Sequence, residues 1–269
     1  MPAKPKLGQN FLRDISAIRR VVAALGDISD ATVVEIGPGQ GAITGVLAHQ
    51  AGRLIAVEID PELAIRLQGL LSSQRVSIVE DDVLIFDFAA AAAQAGQKLI
   101  VAGNLPYYIT SPILLHMAES HAALDRAVLM MQREVADRIA AHPGSRDYGL
   151  LSVTVQLYGP VETLFTLPPG AFSPPPDVYS TVVRWRFAPR FAELAVDEHP
   201  FLAFARKAFA QKRKTLANNL RAAGLQPAQI QQALSESGVS PSARAEELSL
   251  EQLAAIFHQV TRNGAAALS

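Results

Sequence analysis

The sequence of 269 residues contains no cysteine and a single tryptophan. Without cysteine the chain has no disulfide bond, no thiolate metal ligand and no cysteine nucleophile, which fits a reducing compartment. No run reaches the roughly 18 uncharged apolar residues of a membrane span. The basic stretch at residues 2–6 has no apolar segment behind it and does not resemble a secretory signal. We therefore expect a cytoplasmic protein with no membrane partner.

The formal net charge is only −1, but the charges are unevenly distributed along the chain. Residues 1–20 hold five basic side chains against one acid, and residues 27–100 hold ten acids against four bases. A second basic run, without any acid, contains Arg206, Lys207, Lys212, Arg213, Lys214 and Arg221. Either basic run alone could be a solvated helix face. Together they indicate a polyanion held by the basic segments, with another ligand in the acidic middle.

The spacing of the second basic run leads to a more detailed prediction. On a continuous helix, Arg206, Arg213 and Arg221 return to one side because they are seven or eight residues apart. Lys212 then lies on a different side of the helix from these three arginines. We expect the arginines to contribute more to polyanion binding than Lys212.

Short apolar runs alternate with helical patterns over most of the chain. They predict strands at residues 32–36, 53–59, 76–79, 98–102, 127–131, 153–158 and 181–187. This alternation is typical of an α/β protein with a parallel, doubly wound, Rossmann-like sheet, in which ligands bind at the carboxyl ends of the strands. From about residue 191 the pattern is helical, with breaks at Gly224 and Gly238. We predict two domains, at residues 1–190 and 191–269, the second small and all-helical.

The ends of the first three strands carry residues suited to a nucleoside cofactor. Gly37, Gly39 and Gly41 follow the first strand and let the backbone pass close to a ligand. Glu58 ends the second strand, where a carboxylate can accept from both ribose hydroxyls. Asp82 follows the third strand and can accept from an adenine amino group. Two classes of enzyme are compatible with these residues. The loop fits the dinucleotide fingerprint of a nicotinamide-dependent dehydrogenase, and it could instead hold S-adenosylmethionine.

Three details favour S-adenosylmethionine over a dinucleotide. Glu35 precedes the glycines, and an acid there suits a cationic amino-acid group better than a pyrophosphate. Pro38 removes a backbone N–H that an anion site would use. The fourth strand leads into Asn104-Leu105-Pro106-Tyr107, which amino-group methylation needs and hydride transfer does not.

The sequence Asn104-Leu105-Pro106-Tyr107 offers two acceptors and a flat aromatic face. The Asn104 amide oxygen and the Leu105 carbonyl can accept from an exocyclic NH₂ group. The backbone of Leu105 is biased to an extended conformation because a proline follows. Tyr107 can stack on a base, a contact of about 1–3 kcal/mol. Taken alone, the stretch is equally compatible with a strand-to-helix turn containing a core tyrosine.

Four motifs in this order resemble the ribosomal RNA adenine dimethyltransferase family. They are Leu7-Gly-Gln-Asn-Phe-Leu12, Glu35-Ile-Gly-Pro-Gly-Gln-Gly41, Asn104-Leu-Pro-Tyr107 and Phe172-Ser-Pro-Pro-Pro-Asp-Val-Tyr-Ser180. The basic stretch 211–216 is similar to the small-subunit (16S) branch. The resemblance implies a class I methyltransferase sheet with a small helical RNA-binding domain. It also implies cofactor contacts at Asn10, Leu12, Gly37, Glu58, Asp82 and Asn104.

The branch activity implied is transfer of four methyl groups from S-adenosylmethionine to N6 of two adjacent adenines. These lie in a hairpin loop near the 3′ end of 16S rRNA in the small ribosomal subunit. Phe172, in a proline-rich loop, is the candidate for the second stacking face, although it could instead be a hydrophobic plug. No metal is expected, and the protein is predicted to be a monomer. Two alternatives are a large-subunit rRNA methyltransferase that modifies one adenine and a non-catalytic assembly factor.

Overall fold

The computed structural model describes residues 10–71 and 73–262. Lys4, Lys6 and the first residues of the 7–12 motif lie outside the described residues. The chain divides into two compact units: the first runs to Ala136 and adds Pro160–Phe187, and the second contains Asp137–Gly159 and the chain from Ala188 onward. These units differ from the predicted division at residue 190, because residues 137–159 group with the C-terminal helices.

A seven-stranded sheet organises the first unit. The described residues form β1 (Phe11–Leu12), β2 (Thr32–Ile36), β3 (Arg53–Glu58), β4 (Val76–Glu80), β5 (Leu99–Asn104), β6 (Leu124–Gln132), β7 (Val161–Leu167), β8 (Phe172–Ser173) and β9 (Ser180–Arg186). The sheet has the order β4-β3-β2-β5-β6-β9-β7, and β1 pairs separately with β8. Since every residue of β2 is buried, the sheet is covered on both faces at its centre.

The strand directions create one place for a ligand. Strands β2 to β6 pair in parallel, whereas β9 runs antiparallel to both β6 and β7. The sheet is therefore mixed rather than wholly parallel. From β2 the chain continues to β3 and β4 on one side, and it then crosses over to β5 on the other side of β2. This reversal of strand order opens a crevice at the carboxyl ends of the strands.

Eleven helices surround the sheet or form the second unit in the described part of the chain, and some of them begin at a capping side chain. They are α1 (Ile15–Ala23), α2 (Thr44–Gln50), α3 (Pro61–Leu70), α4 (Phe88–Ala95), α5 (Thr110–Glu119), α6 (Arg133–Ile139), α7 (Leu150–Leu157), α8 (Glu198–Ala208), α9 (Leu216–Ala222), α10 (Pro227–Glu236) and α11 (Leu250–Arg262). The Asp14 carboxylate accepts from the N–H of Ala17 at 3.1 Å, and Asp60 accepts from that of Glu62 at 2.9 Å. Within residues 10–71 and 73–262, no helix is long and apolar enough to span a membrane.

The second unit is helical, as predicted for the C-terminal part of the chain. Phe257 packs edge-on against Phe201 and tilted against Phe204, with ring centroids 5.3 and 5.5 Å apart. Gly224 and Gly238 have φ values of +97° and +65° and follow the ends of α9 and α10. Glycine adopts this left-handed backbone without the strain that a side chain adds, which explains both predicted breaks.

Five of the seven predicted core strands match β2 to β6, and the last one matches β9 with a shift of one residue. The strand predicted at residues 153–158 is wrong, because these residues lie almost entirely in α7. Ser152 fixes the start of that helix, since its hydroxyl accepts from the N–H of Gly149 at 3.0 Å. The strand that follows, β7, was not predicted.

Candidate active site

A cavity lies at the carboxyl ends of β2, β3, β4 and β5. It holds about 720 Å³ of empty space, part of which is open solvent. Nine of the eleven residues predicted for catalysis or cofactor binding line it: Asn10, Gly37, Gly39, Glu58, Asp82, Asn104, Leu105, Pro106 and Tyr107. The other two, Leu12 and Phe172, do not. The predicted groups therefore meet in the crevice at β2, where the strand order reverses.

The glycine loop after β2 is held by its own hydrogen bonds. Gly37, Gly39 and Gly41 have φ values of +62°, +58° and +86°. A Cβ atom on Gly39 would lie 2.8 Å from a ring carbon of Phe11. The N–H groups of the three glycines donate to the Val57 carbonyl, to Glu58 Oε2 and to the Pro38 carbonyl, at 3.0, 2.9 and 2.9 Å. Because these donors are already used and Pro38 has none, the loop is poorly suited to a pyrophosphate.

Glu58 connects this loop to the end of β3. Its side chain is 1% exposed and lines the cavity. Oε2 accepts from the N–H of Gly39, and Oε1 accepts from that of Asp60 at 3.1 Å. Each carboxylate oxygen keeps a further lone pair, so Glu58 can brace the loop and still accept from a ligand. Asp82 is similarly fixed, with Oδ1 accepting from the N–H of Leu84 at 2.9 Å.

The amide of Asn104 has one committed end and one available end. Its Nδ2 donates to the Asn10 carbonyl at 2.8 Å. Its Oδ1 is buried and has no hydrogen-bond partner among the described residues. The N–H of Leu105 donates to the Met130 carbonyl at 2.8 Å, while no described group donates to the Leu105 carbonyl. A buried acceptor without a partner costs about 1–3 kcal/mol, so the site is prepared for a donor from outside the protein.

Tyr107 is held beside these acceptors by a residue that the sequence did not indicate. Tyr107 begins a 3₁₀ turn, and its hydroxyl lies 2.6 Å from Oγ of Ser180. Burial raises the pKa of Tyr107, and the contact with Ser180 opposes this shift. Ser180 closes the proline-rich motif, and its 73-residue separation from Tyr107 gives no local signal of the contact.

Phe172 and Leu12 lie in the hydrophobic core. They face each other in the antiparallel pair of β1 with β8, and both are 4% exposed. Phe172 therefore presents no face to the cavity, contrary to the expectation that it stacks on a base. Leu12 lines a smaller adjoining cavity that also contains Glu35, Gly37 and Asn104.

Glu35 is a buried carboxylate at the end of β2. Burial raises its pKa to about 8, the nearby Thr44 opposes this shift, and the charge of Glu58 adds to it. Its Oε2 has no hydrogen-bond partner within the described residues. Among the described residues, neither cavity lining contains Lys, Arg or His, whereas Glu58, Asp81 and Asp82 contribute carboxyl groups. The charge distribution favours a cationic ligand.

A model of the ribosomal RNA adenine dimethylase family matches residues 2–262. The chain belongs to this family. It is a class I methyltransferase that uses S-adenosylmethionine and acts on adenine in ribosomal RNA.

Individual relatives agree over nearly the whole length. Ribosomal RNA small subunit methyltransferase A of Acidobacterium capsulatum is 61% identical over 255 residues, covering 94% of this chain and 90% of the relative. That of Koribacter versatilis is 51% identical over 271 residues, covering 96% and 95%. Among solved structures, the 23S rRNA methyltransferase ErmE has a TM-score of 0.71 at 25% identity, covering 93% of this chain and 99% of ErmE. A dimethyladenosine transferase from Plasmodium falciparum has a TM-score of 0.76 at 21% identity, covering 94% and 98%.

The basic residues predicted to bind RNA in this dimethylase, between residues 206 and 221, lie in the second unit but not on one continuous helix. Arg206 and Lys207 end α8, Arg221 is in α9, and residues 212–214 form a turn between the two helices. The turn forms because Asn219 Nδ2 donates to the Ala208 and Gln211 carbonyls at 2.7 and 3.2 Å. The predicted helical phasing of Arg206, Arg213 and Arg221 is therefore wrong.

Individual basic side chains differ in their hydrogen bonds. Lys212 Nζ donates to the Arg146 carbonyl at 2.9 Å, and Arg221 donates to the Asn218 amide oxygen at 3.1 Å. Arg213 and Lys214 are exposed and make no ion pair within the described part of the chain. Their charges are available to a polyanion.

The described residues contain no group of three or more His, Cys, Asp or Glu side chains arranged to hold a metal ion.

Proposed function

We propose that this dimethylase transfers methyl groups to N6 of two adjacent adenines in a hairpin loop near the 3′ end of 16S rRNA, using the cavity at the ends of β2 to β5. The observation that carries the proposal is the buried Oδ1 of Asn104, which has no partner among residues 10–71 and 73–262 and lies in the same cavity lining as Leu105 and Tyr107. A cytoplasmic location and a monomeric state remain part of the proposal.

The cavity fits S-adenosylmethionine better than a dinucleotide. Its lining is acidic, and the glycine N–H groups already donate to protein acceptors. Glu58 would hold the ribose hydroxyls, and Asp82 the adenine amino group. Asn10, Gly37 and Asn104 would surround the amino-acid end, with Gly39 shaping the loop and Leu12 supporting it from the core. Bound there, S-adenosylmethionine supplies a methyl group on a positively charged sulfur atom.

Asn104 and Leu105 act on the amino group of the target adenine. The N6 lone pair of adenine is delocalised into the ring and is a weak nucleophile. Donating its two hydrogens to Asn104 Oδ1 and the Leu105 carbonyl draws N6 toward tetrahedral geometry and orients its lone pair. The same two oxygens stabilise the positive charge that develops on nitrogen. Pro106 keeps the Leu105 carbonyl out of a helical hydrogen bond.

No basic side chain is required to complete the transfer. The methylated nitrogen is cationic and strongly acidic, so its proton passes to water. The second methylation starts from an amine with a single hydrogen, and one of the two acceptors is then unused. Stacking on Tyr107 therefore contributes more to holding the monomethylated base.

The basic residues of the second unit hold the RNA through its phosphates. Arg206, Arg213 and Lys214 are exposed, and Lys207, Lys212 and Arg221 extend the same basic set. Such contacts position the RNA without reading its sequence and weaken as salt rises.

The substrate is tested by incubating the enzyme with tritiated S-adenosylmethionine and unmethylated small or large ribosomal subunits, followed by nucleoside analysis. We expect N6,N6-dimethyladenosine at two adjacent positions of small-subunit RNA. Label confined to one adenine of large-subunit RNA would instead indicate the large-subunit rRNA methyltransferase that the sequence left as an alternative. Binding of small subunits without label would indicate an assembly factor.

A further inference from the structure

The core position of Phe172 leaves the cavity mouth without its expected second aromatic. Phe172 is 4% exposed, whereas Tyr108 is 59% exposed and lines the same cavity as Asn104 and Tyr107. An exposed tyrosine in the lining of this cavity offers an aromatic face on which a base can stack.

The fold does not use the Tyr108 side chain to build the turn that carries it. The turn is closed by Ile109, whose N–H donates to the Pro106 carbonyl at 3.2 Å, and by Thr110, whose hydroxyl donates to the same carbonyl at 3.0 Å. The preceding Tyr107 is fixed by Ser180. The Tyr108 hydroxyl makes no hydrogen bond to any described residue. The backbone of Tyr108 is thus held in place while its ring remains available.

The substrate implied by the proposed function, on which this inference rests, supplies a partner for that ring. When one of two adjacent adenines occupies the cavity beside Asn104, the other lies next to it in the RNA chain and outside the cavity. An unpaired base offers a π-face that stacks on tyrosine.

We propose that Tyr108 is a positioning residue that stacks on the adenine adjacent to the one being methylated. Tyr107 contacts the target base inside the cavity, and Tyr108 holds its neighbour at the entrance. The two consecutive tyrosines thereby fix the splayed geometry of two neighbouring bases, and exchange of the bases presents the second adenine to Asn104.

Substitutions at Tyr108 test the need for the ring. We expect Tyr108→Ala to lower kcat/KM on small subunits about 5- to 150-fold, the loss expected for one base stack, mostly through KM. Tyr108→Phe should stay within about twofold of the wild type, and Tyr108→Leu should resemble Tyr108→Ala. Affinity for S-adenosylmethionine, measured by calorimetry, should not change. The control is Ile65→Ala, an exposed apolar residue on α3 that does not line the cavity.

A substrate change identifies which base is contacted. Small subunits are reconstituted with rRNA in which one of the two adenines is replaced by an abasic site, and methylation of the other adenine is measured. The abasic site should lower the wild-type rate by a similar factor, and Tyr108→Ala should then cause no additional loss.

Three results would overturn the inference. They are additive losses from Tyr108→Ala and the abasic site, a parallel fall in cofactor affinity, and unchanged kinetics of Tyr108→Ala with an active wild type. A wild type that methylates no small subunit would overturn the proposed function and this inference with it.

Discussion

Single side chains in this site divide their hydrogen-bonding atoms between the fold and a ligand. Asn104 commits its Nδ2 to the Asn10 carbonyl, and its Oδ1 has no partner in the described part of the chain. Glu58 commits one lone pair of each oxygen to the backbone of Gly39 and Asp60. Such side chains cannot rotate freely, so their remaining acceptor positions point in fixed directions. This preorganisation lowers the cost of orienting both substrates.

Glu58→Ala tests the proposed ribose contact. We expect affinity for S-adenosylmethionine to fall by about 1.5–3 kcal/mol, the range for hydrogen bonds to a charged group. The free energy of unfolding should fall as well, because the variant no longer accepts from Gly39 and Asp60. Calorimetry and urea unfolding measure the two effects. Glu62→Ala, an exposed acid in the first turn of α3, is the control, and unchanged cofactor affinity in Glu58→Ala would contradict the assignment.

Glu35 predicts a pH dependence of stability. Burial raises its pKa from 4.5 in the unfolded chain to about 8 in the folded protein, so between these values the folded state binds more protons. The free energy of unfolding should therefore decrease as pH rises from about 4.5 to 8.

Glu35→Gln provides the matched comparison, since the amide has nearly the same shape and does not titrate. Its stability relative to the wild type should increase steadily over the same pH interval. Urea unfolding at a series of pH values gives both curves, and parallel curves would show that Glu35 is not the group responsible.

At the scale of elements, the sequence predicted what local patterns determine. The apolar runs that become β2, β3 and β5 are recognisable because these central parallel strands are buried on both faces. The segment at 153–158 is also apolar and rich in β-branched residues. It folds as a helix buried on most of its surface, so neither a period of 2 nor one of 3.6 shows in the sequence.

Two features of the site depend on contacts between elements that no local pattern encodes. The pairing of β1 with β8 places Phe172 in the core, and the position of β9 brings Ser180 to Tyr107. The residue types at the strand ends could be predicted, because they follow directly from parallel-sheet topology. The direction in which a loop aromatic points could not.

Gly39→Ala tests the glycine loop as an element. The residue has φ +58°, and a Cβ atom would approach two ring carbons of Phe11 to 2.8 and 2.9 Å. We expect loss of stability of at least about 1–2 kcal/mol and much weaker cofactor binding.

The control glycine lies in the adjacent helix. Gly45 is in α2, and a Cβ atom there would have no atom within 4 Å. Gly45→Ala should be neutral or stabilise by about 0.5–1 kcal/mol. Thermal unfolding and calorimetry distinguish the two variants, and wild-type binding by Gly39→Ala would contradict the role of the loop.

At the scale of the whole molecule, the acidic cavity and the basic run at residues 206–221 lie in different units. The acidic cavity belongs to the first unit, and the exposed Arg206, Arg213 and Lys214 belong to the second. Composition along the sequence predicted the acidic middle and two basic runs, of which the first, with Arg13, Arg19 and Arg20, belongs to the first unit. The turn between α8 and α9 could not be predicted from charge, because it depends on the hydrogen bonds of Asn219.

Replacing Arg213 and Lys214 together with Gln tests the RNA contact. If both contact phosphates, the slope of log affinity against log salt on single-stranded RNA should decrease by about 1.4. Cofactor affinity should not change, because the cavity is in the other unit. Gln at Arg66 and Arg75, two exposed arginines of the first unit, is the matched control. An unchanged slope would mean that the RNA is held elsewhere.

The most direct measurement is the rate of methyl transfer by Asn104→Ala at saturating S-adenosylmethionine and saturating unmethylated small subunits. If Asn104 Oδ1 accepts from the adenine amino group, the rate should fall by about 10²- to 10³-fold, as for removal of one preorganised polar group in other enzymes. Binding of small subunits should be nearly unchanged, because phosphate contacts dominate affinity. A wild-type rate of dimethyladenosine formation would contradict the role of Asn104 in the reaction.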